Sequence, residues 1–98
     1  MPPRLLTLMQ ELRQISPQLA MDLRLLPSGV AFLNVYSGGR DLVLEYHPTD
    51  GTGVSENTDS TPPFHVGHDE VFQSIELGAD RLVQLVRKLL AAPHSHAA

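Results

Sequence analysis

Apolar side chains recur at every second position from Met21 to His47, and two short interruptions read as turns. The first is Leu26-Pro27-Ser28-Gly29-Val30. There Pro27 presets φ for a type I turn and Gly29 supplies the left-handed position behind it, the form of a three-residue hairpin. The second is Ser37-Gly38-Gly39-Arg40, whose paired glycines accept the positive φ of a primed turn. Closing both turns predicts a register. Leu25 stands opposite Ala31, Leu23 opposite Leu33 and Met21 opposite Val35; Val35 then faces Leu42, Leu33 faces Leu44 and Ala31 faces Tyr46. One side of this three-stranded meander is apolar throughout. The other side, Asp22/Asn34/Val43, Arg24/Phe32/Glu45 and Val30/His47, is mixed, and a slip of one residue would exchange the two. On that mixed side Glu45 is expected to meet Arg24 across Phe32.

Helical spacing brackets the meander. Leu5, Leu8, Met9, Leu12 and Ile15 form one stripe behind Pro2-Pro3, and Ser16-Pro17 stops it. Ile75, Ala79, Leu82, Val86, Leu89 and Leu90 form a second stripe, with Ser74 as its cap and Pro93 as its stop. Gly78 is expected to weaken the first turns of that helix by about 1 kcal/mol relative to alanine. Before it, the stretch from Phe64 to Phe72 reads as extended, with a short fourth strand. The fold class is therefore α+β, in the order α-β-β-β-(β)-α: an antiparallel three- to four-stranded meander with both helices packed on one face. Residues 1–98 read as a single domain, with ragged ends at 1–3 and 93–98. Residues 49–63 carry one aliphatic side chain in fifteen positions and read as a long acidic loop.

Charge and composition narrow the function classes. The net charge is −4, and nine of the eleven acids lie between Arg40 and Arg81, an interval without Lys or Arg. The order helix–strand–strand–strand–helix resembles that of double-stranded-RNA-binding domains, which bring a basic cluster to the start of their second helix. Here that place carries Asp69, Glu70, Glu76 and Asp80, which would repel phosphates, so no nucleic-acid partner is expected. No run approaches the roughly 20 apolar residues needed to span a bilayer, and no signal peptide is legible. The chain has no cysteine, which fits a cytoplasmic setting.

Candidate chemistry is sparse. His65-x-x-His68-Asp69, joined by His47 at the end of the third strand, is the only grouping with metal-ligand character. It would make the chain a metal-dependent enzyme or a metal sensor. There is no Gly-x-Ser-x-Gly elbow, no phosphate-binding loop and no calcium loop. No catalytic residue and no cofactor are assigned, and an enzyme is the lesser reading. The leading expectation is a small acidic, non-catalytic interaction domain: an adaptor, an inhibitor or an immunity-like protein. Its protein partner, a basic one by charge complementarity, would meet Phe32, Tyr36 and Val43 on the mixed side and Asp50, Glu56 and Asp59 in the acidic loop. A purely structural homo-oligomer, such as a homodimer joined by sheet faces or edge strands, is the third expectation.

Overall fold

Both turns close as their residues dictate. In the computed structural model, which describes residues 2–57 and 69–91, Leu26 N–H donates to the Val30 carbonyl at 2.9 Å and Gly29 N–H to the Leu26 carbonyl at 3.0 Å. Gly29 has φ +93°, and Gly38 and Gly39 have φ +57° and +80°, the left-handed values that a side chain would resist. These turns join β1 (Ala20–Leu25), β2 (Ala31–Ser37) and β3 (Arg40–His47). The pairs Met21–Val35–Leu42, Leu23–Leu33–Leu44 and Leu25–Ala31–Tyr46 form in the expected register.

The sheet continues where a loop is expected. Gly51–Asn57 is β4, paired along its whole length with β3, and Glu70–Phe72 is β5, paired with β4. The result is a five-stranded antiparallel meander in the order β1-β2-β3-β4-β5, rather than three or four strands. The reason lies in β4's position. A strand flanked on both sides draws its stability from two ladders of backbone hydrogen bonds, so small side chains suffice. Thr52 and Val54 are fully buried, and Gly53 and Ser55 are buried as well. The remainder of the expected loop, 58–63, and the tail at 93–98 lie outside the described residues.

Two helices cover one face. Helix α1 (Pro3–Ile15) begins with Pro3 at its first position and ends where Ser16 N–H reaches the Leu12 carbonyl at 3.0 Å, just before Pro17. The expected ragged start at 1–3 thus gives way to helix at Pro3. Helix α2 (Ile75–Ala91) is capped by Ser74, whose Oγ accepts from Leu77 N–H at 3.2 Å. The core is the apolar side of the sheet (Ala31, Leu33, Val35, Leu42, Leu44, Val54) against Leu5, Leu8 and Leu12 of α1 and Ala79, Leu82 and Val86 of α2. α2 lies over β3, β4 and β5 and packs beside α1.

Gly78 has a packing role that helix propensity does not reveal. It is buried, and a Cβ there would lie 2.5 Å from Thr52 Cγ2 and 3.1 Å from Thr52 Cβ. The missing side chain lets α2 settle onto β4. Whatever it costs the helix start in propensity, the glycine also sets the distance between helix and sheet.

Candidate functional site

Opposite the helices no described element packs against the sheet, and register decides which side chains that face presents. The rows are Ala20/Tyr36/Asp41, Asp22/Asn34/Val43/Ser55, Arg24/Phe32/Glu45/Gly53/Val71 and Val30/His47/Gly51. Tyr36 is 42% exposed, Val71 69%, and Phe32 is half-buried. Val43, at 9%, has little surface to offer. Val71 joins the face only because β5 pairs with β4. Its alternation with Glu70 and Phe72 is the sole sequence signal for it.

Polar groups on this face pair locally. Asn34 Nδ2 donates to Asp41 Oδ1 at 3.4 Å. The Glu45 carboxylate meets His47 Nε2, two residues on and on the same side of β3, instead of reaching across Phe32 to Arg24. The shorter route wins because residues i and i+2 of a strand are same-face neighbours, whereas Arg24 and Glu45 are separated by the whole of β2. Asp50, in the β3–β4 turn, is exposed and accepts from Thr49 Oγ1 at 3.3 Å.

Glu56 belongs to the other side of the sheet. It shares a row with Met21, Val35 and Leu42, and its carboxylate is ion-paired with Arg40. That pair lines a cleft of about 150 Å³ with Leu42, Leu85, Lys88 and Leu89. Such a volume falls below the roughly 300 Å³ at which small-molecule sites begin.

The metal grouping is not assembled by its described members. His47 ends β3, and Asp69 precedes β5 beside Ser55, so strand spacings put them on the order of 15 Å apart. Asp69 Oδ2 accepts the Glu56 backbone N–H at 3.0 Å. His65 and His68 lie outside the described residues, as does Asp59. Among the described residues no three His, Asp or Glu side chains are gathered as a metal would need.

Arginines at or beyond the borders of the acidic interval take up much of its charge. Arg4, largely buried, reaches Glu11 at 2.7 Å, Asp80 at 3.1 Å and Glu76 at 3.4 Å. Arg81 Nε meets Glu70 at 2.7 Å while its Nη1 donates to Gln84 at 3.2 Å, tying α2 to β5. These pairs, with Arg40–Glu56, turn an apparent acidic field into structural links. Arg4 at the start of a helix with Glu11 two turns later was the available hint. No helix among the described residues is long and apolar enough to cross a membrane. No protein-family model, curated protein or solved structure matches the chain.

Proposed function

We propose that this chain is a non-catalytic protein-interaction domain that presents the open sheet face to a protein partner. The observation that carries the reading is the asymmetry of the layers. Both helices lie on one face, and the other holds Tyr36 and Val71 more than a third exposed, with Phe32 half-buried in the row of Val71. Antiparallel sheets with one solvated face normally keep that face polar, and exposed apolar groups within a polar rim commonly mark binding surfaces. Asp22 and Asp50 on the rim, with the overall charge of −4, favour a basic partner. An inhibitor or immunity-like protein set against a basic enzyme is one concrete form, working in the cytoplasm as the cysteine-free composition suits.

The test is affinity capture with the wild-type chain and with Y36R/V71R, at low and at about 0.5 M salt. A partner held at low salt, released at high salt and lost with Y36R/V71R supports the reading. As a control, R87A on the helix side should keep it. Equal capture by wild type and Y36R/V71R would refute the assignment of this face.

A further inference from the structure

We propose that two copies of this chain join through their β1 edges into one sheet of ten strands, in the register that sets Leu23 opposite Leu23 of the second copy. This goes beyond the open-face reading and does not depend on it.

Among the described residues β1 is the long unpaired edge of the sheet: six residues against three for β5 at the opposite edge. Which of its backbone groups are available follows from one bond. Leu26 N–H donates to Val30, and in an antiparallel ladder hydrogen-bonded and non-bonded positions alternate. Arg24, Asp22 and Ala20 therefore direct their N–H and C=O groups to β2. Met21, Leu23 and Leu25 direct theirs outward. Natural edge strands are blunted by charged side chains, Lys above all, by Pro, a bulge or an inward-pointing charge. β1 has no Lys, Pro or inward-pointing charge, and its two charges, Asp22 and Arg24, are of opposite sign and lie on the face away from the helices.

A two-fold pairing centred on Leu23 matches outward-facing residues throughout: Leu23 with Leu23, and Met21 with Leu25 twice. Every outward N–H and C=O of the edge finds a partner. On the open face the same register places Asp22 opposite Arg24 of the second copy, and Arg24 opposite its Asp22. Both residues are exposed in the single chain. The neighbouring registers that also satisfy the backbone set Asp22 against Asp22 or Arg24 against Arg24, and like charges directly opposite destabilise a strand pair. Charge thus selects one register from the few the backbone allows.

The apolar side agrees. Leu25 is 54% exposed and Leu6 51%. Leu6 lies two residues from Arg4, about 200° around α1. The Arg4 flank faces α2, so Leu6 is on the flank turned toward the free edge. A two-fold axis normal to the sheet keeps the helices of both copies on one side, where Leu6 and Leu25 gain cover at the joint.

The test is sedimentation velocity of the full chain over a wide concentration range, with charge reversals at the exposed pair. Wild type should reach twice the 10.8 kDa of one chain. D22R alone and R24D alone should each be shifted to monomer, with unchanged far-UV circular dichroism. Mixing D22R with R24D restores opposite charges at both positions and should restore the dimer. A wild-type chain that stays monomeric up to about millimolar concentration would overturn the proposal. So would a dimer that survives both single reversals, or a mixture that stays monomeric. Amide exchange of the wild type gives a second readout free of substitutions: Met21, Leu23 and Leu25 should be protected at high concentration and exchange quickly on dilution. Fast exchange of these three in the dimer would overturn it equally.

Discussion

Substituting Gly78 by alanine should destabilise the protein, although alanine is the better helix former. Propensity alone would favour G78A by about 1 kcal/mol. Against this stands an overlap, since the new Cβ would lie 2.5 Å from Thr52 Cγ2, where carbon contacts are comfortable from about 3.5 Å. Relief of roughly 1 Å comes from α2 lifting off β4 or from the fully buried Thr52 leaving its rotamer, and Ala79, Leu82 and Val86 are wholly buried along the same helix. A gap of that size forfeits about a quarter to a half of each contact well, and overpacked cores typically lose about 1–3 kcal/mol or somewhat more. The net expectation is a loss of up to about 2 kcal/mol, or a fall in Tm of up to about 15 °C for a domain of this size. Urea titration followed by circular dichroism measures it as a lower midpoint at unchanged slope. The partner substitution T52A removes Cγ2 and leaves the 3.1 Å contact with Cβ and an ordinary one of 3.8 Å with Val54 Cγ2. On that background G78A should become neutral or stabilising, a coupling of about 2 kcal/mol. An equal rise in midpoint on both backgrounds would refute the close-approach argument and return Gly78 to an ordinary helix position.

Two further substitutions address buried polarity and charge. Thr52 Oγ1 is fully buried without a hydrogen-bond partner among the described residues, so T52V should raise stability by about 1 kcal/mol in the same titration; a loss of that size would mean the hydroxyl is satisfied. R4A leaves Glu11, Glu76 and Asp80 gathered without their cation and should cost about 1–2 kcal/mol, reduced because the carboxylates are solvent-screened and shrinking further as salt rises. R4K should recover only part of the loss, since an ammonium cannot reach three carboxylates as a guanidinium fork does.

Local chemistry made the first three strands legible. Pro27–Gly29 and Gly38–Gly39 are turn signals whose loop lengths fix register, and alternation then assigns faces, so Phe32 and Tyr36 could be placed on the open side from sequence. β4 was not legible, because Gly51, Gly53 and Ser55 carry no strand preference and its ladder partners lie elsewhere in the chain. Two features of the candidate face depended on it. Glu56 turns to the helix side, and Val43 gains Ser55 as its neighbour, only once β4 is in place. Gly78 and Arg4 share this character: a glycine's packing duty and an arginine's distant carboxylates exist only in three dimensions.

Arg4 of α1 meeting Glu76 and Asp80 of α2 also means that the helices start at the same end of the sheet and run side by side in one direction. Their macrodipoles are therefore parallel, an arrangement that repels itself. The side chains oppose it. Glu76 lies in the opening turn of α2, while Arg13 and Lys88 lie in the closing turns of α1 and α2. α1 itself has no acid in its opening turn and carries Arg4 there, so at that end the offsetting negative charge comes from Glu11 and from Glu76 and Asp80 of α2, gathered around Arg4.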